Sequence, residues 1–397
     1  MKYTNLILLS VLLLLFSCQN HQPTLKTGEI LVNLDSLQKN KREYYSTYFD
    51  GGGIIVLETT DNSLLGRINK LCVSEACFFI LDNSGVFVFR KDGTFLHIIA
   101  KCGNGPGEYN RLSDIAIDDK NNEVYLLDPA KHCVLVYDFD NNHKRTISLP
   151  DKGFCSKLIY HDGALYFSII GSRGLDKNWL LCKMDLNNGN KITYYLDADE
   201  YNKGWYDLYY TDQQTFMQSS NGSPLLFQIF TEEIFKLNND GPQPYVSIYS
   251  KSLPSKEFVS ELNSENISNK LSGSGYIHSI YDFVENDMFL SFKFRIKNTT
   301  KVFFSNKRTA TSFIVDVFSN DILYSDKNAA YIVSKMDAVD KDRVYCIDGK
   351  SIYSKELLLE NLESGKINTS MVGFENLKNF LDDEEANPII VYYNFKK

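Results

Sequence analysis

The runs "FFILD" and "VYLLD", ending at Asp82 and Asp128, stand 46 residues apart at the same place in two successive units, each holding about four short strands. A four-stranded unit repeating at about 40 to 50 residues cannot bury its apolar faces alone; stacked against like units around an axis it makes a propeller. Segments rich in Val, Ile, Leu, Phe and Tyr recur as "GVFVFRKDG", "CVLVYDFD", "ALYFSII", "WLLCKMD", "EIFKL", "DMFLSFKF" and "RVYCID", and they read as strands. Between them lie clusters such as "DNSG", "DFDNNH", "DLNNGN" and "LNNDG", which favour tight hairpin turns. The strands are nearly continuous in apolar residues instead of alternating, as expected where both faces of a sheet pack on neighbours. A pair of β-sandwiches is the alternative; the period favours an all-β, six-bladed β-propeller.

From about residue 60 onward there is room for six units, at about 62–108, 109–150, 152–198, 212–250, 275–318 and from "DILYSDKN" onward. "LPSKEFVSELNSE" has an early proline and apolar residues at helical spacing, so a short helix is expected between blades four and five. Near the C-terminus, "SKELLLENLESG" and "FENLKNFLDDEEAN" predict short helical insertions ahead of a last strand, "PIIVYYNF". That strand, or the early "GIIVLETT", is expected to complete a blade from the other end of the chain and close the ring, removing exposed sheet edges.

A leader precedes the repeats. Lys2 is followed by a stretch from Leu6 to Phe16 that is apolar except for Ser10. Spanning a bilayer takes about 20 residues, so this is a secretory signal and not a permanent transmembrane helix. Its end, Leu15, Phe16, Ser17 and Cys18, resembles the lipobox of bacterial lipoproteins, with cleavage before the cysteine. On that basis residues 1–17 are signal peptide, Cys18 is acylated, residues 18–40 are a lipidated polar tether and residues 41–397 are the propeller. Each buried methylene of the acyl chains adds about 0.8 kcal/mol of membrane attachment. The formal net charge of -8 becomes -9 when Lys2 leaves with the leader. An acidic body without a run of basic residues argues against nucleic-acid binding.

Beyond Cys18 the cysteines are Cys72, Cys77, Cys102, Cys133, Cys155, Cys182 and Cys346, an odd number with no C-x-x-C spacing. That removes a zinc ribbon or a thioredoxin motif. Most are expected to be buried free thiols, while Cys72 and Cys77 are close enough to pair across a bend. The glycine-rich "GNGPGEY" at 103–109 is neither a P-loop nor a dinucleotide fingerprint. Pro106 removes an N–H from any anion nest, Glu108 adds negative charge and a strand follows, so it reads as the corner between blades one and two. "DFDNNHK" begins like a calcium loop but has His143 and Leu149 where glycine and glutamate are needed. The six histidines are scattered, and "SGSG" at 272–275 lacks the first glycine of a nucleophile elbow. No catalytic residue, metal or cofactor is expected. A hydrolase or lyase using a carboxylate pair at the channel mouth is the alternative.

"YNKGWYDLYY" at 201–210, with Tyr195 just upstream, crowds aromatic residues into the connection between blades three and four. Aromatic faces with polar tips suit sugars or peptides, and equally they fill a blade junction. Loops entering the blades surround one mouth of the channel. The ligand-binding candidates are therefore Trp205 and Tyr206 together with Arg111, Asp114, Tyr281 and Arg295.

The series "SLLGRINKL", "FFILD", "GVFVFRKDGTFLHII", "GNGPGEYNRLSDIAID", "NEVYLLD" and "VLVYDFD" resembles the six-bladed β-propeller lipoproteins of Gram-negative gut anaerobes, distant relatives of NHL-repeat propellers. "EEIFKLNNDGPQPYVSIY", "IYDFVENDMFLSF" with its Glu285, and "NPIIVYYNFKK" extend the likeness over nearly the whole mature chain, and "GxGPGEY" is its most specific piece. The resemblance implies a ring-shaped scaffold at the outer membrane, associated with nutrient uptake and without established chemistry. Relatives sent to the cell surface carry an acidic cluster after the cysteine; its absence here points to the periplasmic side. The expected function is a lipid-anchored extracytoplasmic binding or assembly module for a glycan, a peptide or an outer-membrane protein partner.

Overall fold

The computed structural model describes residues 28–171, 174–206, 215–220, 222–325, 335–349, 352–382 and 385–397; the leader, Cys18 and the first part of the tether lie outside them. The described residues form six sheets. Blade one runs from the inside outward through Ile68–Val73, Cys77–Asp82, Val86–Arg90 and Phe95–Ile99, and blade two through Asp114–Asp118, Glu123–Asp128, Cys133–Asp138 and His143–Ser148. Blade three holds Cys155–His161, Ala164–Ile169, Trp179–Asp185 and Lys191–Asp197. Blade four begins with two short strands, Phe216–Met217 and Leu225–Leu226, and continues with Glu233–Asn238 and Gly241–Tyr249. Blade five comprises Ile277–Glu285, Phe289–Ile296, Thr299–Asn306 and Thr311–Ser319. The six-bladed propeller expected from the period is the fold.

Closure uses both strands named from the sequence. In blade six, Ala338–Val339 and Arg343–Asp348 lead to Ile389–Phe395, and the outermost strand is Phe49–Val56 from the other end of the chain, with Val391 opposite Ile54. The helices Ile352–Glu363 and Phe374–Asp382 are inserted between the second and third strands of this blade. A further helix, Lys256–Ser260, sits between blades four and five, its first turn capped by Ser255, whose hydroxyl accepts the Phe258 N–H at 3.2 Å. Among the described residues no helix is long and apolar enough to cross a membrane.

The tether expected over residues 18–40 ends sooner than that. Ile30–Asn33 adds a fifth, parallel strand to blade four, and Gln38–Tyr44 adds one to blade five. The outer edges of those blades present unpaired N–H and C=O groups. Ladder bonds are made by the backbone, so even the polar "QKNKREY" can satisfy them. Immediately afterwards the ring of Tyr45, fully buried, wedges into the junction of blades five and six, 4.5 Å from Phe318 and 5.1 Å from Tyr393 between centroids.

The continuous apolar strands have a direct explanation in the packing. In blade one, Phe79 and Leu81 face blade two, while Phe78 and Ile80 face Tyr345 and Ile390 of blade six. Each junction between neighbouring blades has such a core. Each large side chain buried there contributes about 1.5–3 kcal/mol.

The glycine-rich stretch is the corner expected of it. The Tyr109 hydroxyl donates to the Ser84 carbonyl at 2.6 Å, the Tyr137 hydroxyl donates to the Gly107 carbonyl at 2.6 Å, and the Lys131 ammonium donates to the Gly103 carbonyl at 2.7 Å. The Glu108 carboxylate turns inward and accepts the Gly105 N–H at 2.6 Å. Gly107 has φ +78°, a conformation that favours glycine, and a Cβ on Gly103 would stand 2.2 Å from the Glu108 carboxylate and displace it from the Gly105 N–H. "DFDNNHK" is a hairpin turn in which Asp138 accepts the N–H groups of Asp140 and Asn142. Cys72 and Cys77 are both free: Cys72 lies opposite Phe79 and directs its sulfur toward the Ile115 carbonyl of blade two, so the bend does not bring the two thiols together.

Candidate functional site

The innermost strands enclose a channel of about 2020 Å³. Each blade is an antiparallel meander, so the start of its first strand and the turn after its second strand lie at the same end. Aspartates at the end of the second strand fasten that end. Asp82 accepts the Gly66 N–H at 2.8 Å and the N–H groups of Ser84 and Gly85; Asp128 accepts the Asn110 N–H at 2.6 Å and those of Ala130 and Lys131. These are the two aspartates that set the 46-residue period, and their role is to hold the incoming loop against the hairpin.

At this first mouth the channel is lined by Arg67 of blade one, Arg111 of blade two, Phe154 and Lys157 of blade three and Lys335 of blade six. Arg67, Arg111 and Lys335 are exposed, and Phe154 keeps 46 % of its surface in solvent, one of few large apolar side chains to do so. The described carboxylates lining the same mouth are occupied: Asp82 by the turn it caps, Asp114 by Lys70, and Asp337 by the Ile347 N–H at 2.7 Å and by the Lys335 ammonium at 3.8 Å. The opposite mouth, where the inner strands end, carries Asp119, Asp162 and Asp340. The channel thus gathers basic side chains at one end and carboxylates at the other.

Between the mouths a cross-channel brace joins three blades. The Lys70 ammonium is 2.9 Å from the Asp114 carboxylate and donates to the Leu158 carbonyl at 3.1 Å; Asp114 also accepts the Leu158 N–H at 2.8 Å and the Ile115 N–H at 3.0 Å. Burial alone would lower the Lys70 pKa, but the Asp114 charge and hydrogen bond, with Cys72, outweigh it and the group is raised. Near the acidic mouth, burial lowers the pKa of His161, with the Asp162 charge acting against it. A second buried carboxylate, Glu285 of blade five, is 1 % exposed and accepts hydrogen bonds from Tyr245, Lys307 and Ser219. It joins blades four and five below the channel wall.

Of the residues expected to bind ligand, Arg111 and Asp114 line the channel, the first open to solvent and the second committed to the brace. Trp205 is buried, packed on Phe230 at 5.6 Å and on the helices Lys256–Ser260 and Ile267–Gly273 through Val259, Ile267 and Leu271. The Tyr206 hydroxyl donates to the Trp179 carbonyl at 3.2 Å, and both rings border only a cavity of about 40 Å³. Here the aromatic cluster fills a blade junction; residues 207–214, with Tyr209 and Tyr210, lie outside the described residues. Tyr281 and Arg295 belong to blade five, where the Tyr281 hydroxyl is 3.3 Å from that of Thr300 and Arg295 is exposed opposite His278, and neither lines the channel.

Sequence inspection missed Arg67, Lys70, Phe154, Lys157 and Lys335. One signal was present: Lys70 lies opposite Leu81 and Asp114 opposite Leu127, each one residue before the aspartate of the repeat, so the two occupy equivalent places in adjacent blades. Among the described residues no group of three or more His, Cys, Asp and Glu side chains could hold a metal.

A ring of six meanders around a solvated channel defines a β-propeller. The chain matches, over residues 29–394, the family described as "Domain of unknown function (DUF4934)", and it belongs to that family. Among solved structures it is similar to a "Putative exported protein" from Bacteroides fragilis, at 20 % identity with a TM-score of 0.67, covering 92 % of this chain and 100 % of that one. A member of the DUF4221 family from Bacteroides vulgatus aligns at 10 % identity and a TM-score of 0.48, covering 88 % of this chain and 97 % of that one. The first likeness supports the fold; the second carries no argument. No curated protein matches.

Proposed function

We propose that this protein is an exported, lipid-anchored propeller that binds its ligand at the basic mouth of the channel. The observation that carries the reading is the set of unengaged groups there: the side chains of Arg67, Arg111 and Lys157 make no hydrogen bond or ion pair to other described residues, and Phe154 presents its ring to solvent. Protein surfaces ordinarily intersperse both signs of charge and bury phenylalanine, so a gathering of free cations around an open ring marks an interaction site. The acidic net charge of the chain makes a basic mouth the more distinctive. The leader and the sequence at Cys18 support export and anchoring by lipid, and the similar Bacteroides fragilis protein is itself described as exported. The channel carboxylates favour binding over hydrolysis or elimination, since Asp82, Asp114 and Asp337 are each tied to a structural partner, and at the far mouth Asp119 accepts the Glu75 N–H and Asp162 the Asn239 amide.

The test is binding of the purified full-length protein to arrays of glycans and peptides, alongside the variant Arg67→Glu/Arg111→Glu. Loss of the bound class in the variant supports the site; a protein that binds through surfaces indifferent to both substitutions refutes it. Anchoring is tested separately by Cys18→Ser, which should release the protein from the membrane fraction.

A further inference from the structure

We infer that the ligand of the basic mouth is an anionic oligosaccharide, a sugar chain bearing carboxylate or sulfate groups. The inference rests on the binding reading above and deepens it. Arg67, Arg111, Lys157 and Lys335 come from four different blades and are brought to one rim by the ring, so their positive potential is focused over an opening. Asp337 pairs with Lys335 at 3.8 Å, Asp114 with Lys70, and Asp82 is held by its turn, so the side chains of Arg67, Arg111 and Lys157 keep their charge without a carboxylate in contact among the described residues. A neutral ligand would leave this field unused. An acidic one meets guanidinium forks matched to carboxylate or sulfate oxygens.

The remaining lining selects among anions. Phe154 offers an apolar ring face, 46 % exposed, beside the cations. A pyranose has an apolar C–H face that stacks on such a ring while its rim of hydroxyls needs hydrogen-bonding partners. Those partners are present as Asn69, Asn83, Asn110, Ser156 and Thr215 on the channel wall. The volume, about 2020 Å³, exceeds the 300–1,000 Å³ or so of a site for one small molecule and leaves room for several sugar units. Arginine clusters also recognise acidic peptides; the sugar is the better match because the open aromatic ring beside the cations suits the flat face of a pyranose. Among the described residues Phe154 is the one large apolar side chain standing exposed at this mouth.

The experiment measures binding of the full-length protein to four probes by isothermal titration: a galacturonate hexamer, a heparin-derived hexamer, a neutral maltohexaose and a hexaglutamate peptide. The expected result is binding of one or both anionic sugars, weakened by added salt, with affinity reduced about tenfold or more in Arg67→Ala/Arg111→Ala. Arg67→Lys/Arg111→Lys should recover part of the loss, and Phe154→Ala should weaken the sugars while leaving hexaglutamate unaffected. These side chains are exposed and without partners among the described residues, so the variants should fold, which circular dichroism checks. Equal or tighter binding of hexaglutamate overturns the sugar assignment. Preferential binding of maltohexaose, lost in Phe154→Ala but not in the arginine variants, overturns the anionic assignment and leaves the mouth as a binding site. Failure of all four probes overturns this inference, while a ligand found on a wider array and lost in the charge-reversal variant would preserve the binding reading alone.

Discussion

Replacing Asp114 by alanine removes the centre of the cross-channel brace. The carboxylate accepts from the Lys70 ammonium at 2.9 Å, from the Leu158 N–H at 2.8 Å and from the Ile115 N–H at 3.0 Å. Leu158 is fully buried, so its N–H loses its acceptor, at a cost of about 1–3 kcal/mol. Lys70 is left as a cation without its counter-ion. Breaking a buried pair by removing one partner costs about 3–5 kcal/mol in general, and the 25 % exposure of the Lys70 side chain, which lets water reach it, places this case at the low end. The two losses share one carboxylate and are not simply additive, so the expected loss for Asp114→Ala is about 3–5 kcal/mol. Asp114→Asn keeps an acceptor for Leu158 and should lose about half as much. In a double-mutant cycle with Lys70→Met the coupling should be about 1–3 kcal/mol. Urea unfolding followed by the fluorescence of Trp179 and Trp205 measures the wild type and the four variants. A loss below about 1 kcal/mol for Asp114→Ala, or a coupling indistinguishable from zero, would show that the brace is incidental to stability.

Tyr109→Phe removes the hydroxyl bonded to Ser84 and should destabilise by about 1 kcal/mol in the same assay, with no effect on ligand binding; an unchanged midpoint would show that the corner does not depend on that bond. Native-state thiol labelling should modify Cys102 first, because it is the exposed cysteine, whereas burial raises the Cys72 and Cys155 thiols to about 11 and about 12. Labelling after unfolding should reach the remaining described cysteines without a reductant, and a reductant requirement would reveal a disulfide. Burial lowers the pKa of His278 below its ordinary value near 6.5, the Lys297 carbonyl opposing and Arg295 reinforcing that shift. The unfolded chain therefore binds the proton more readily, and the stability His278 contributes is present above about pH 6.5 and lost as the pH falls through the folded-state value. His278→Gln should flatten the fall in thermal midpoint between about pH 7 and pH 5; an unchanged slope would assign the fall to other groups.

The blades were legible because their cause is local. "FFILD" and "VYLLD" are apolar on both faces since each strand packs on two neighbouring blades, and the Asn-Gly-Asp turns name their own geometry. The corner at 103–109 could be recognised for the same reason: a proline and a glutamate in a glycine run speak against anion binding wherever they occur. Strand addition at Gln38–Tyr44 could not be read, since "QKNKREY" shows neither alternation nor apolar content and is ordered by the free edge of blade five. The channel was equally hidden. Arg67, Arg111, Lys157 and Lys335 are spread over 268 positions and become neighbours of one opening only when the ring closes. Around Trp205 the sequence left two readings open, since an aromatic-rich connection suits a binding surface and a blade junction alike, and the helices Lys256–Ser260 and Ile267–Gly273 that cover the indole are distant in sequence.

The placement of the early strands also dictates an order of events during synthesis. Ile30 pairs with Val246, Gln38 with Phe313 and Phe49 with Phe395, so the first strands to emerge are the last to find partners. Blades one to three can assemble from contiguous sequence as they appear, while the N-terminal segment stays extended until the distant half of the chain arrives. A chain interrupted before Ile389 lacks the third strand of blade six and leaves Phe49–Val56 without its partner. Under the export proposed above, this delay would leave the amino-terminal region extended during passage across a membrane, and only a polypeptide that includes Ile389–Phe395 can lock the ring.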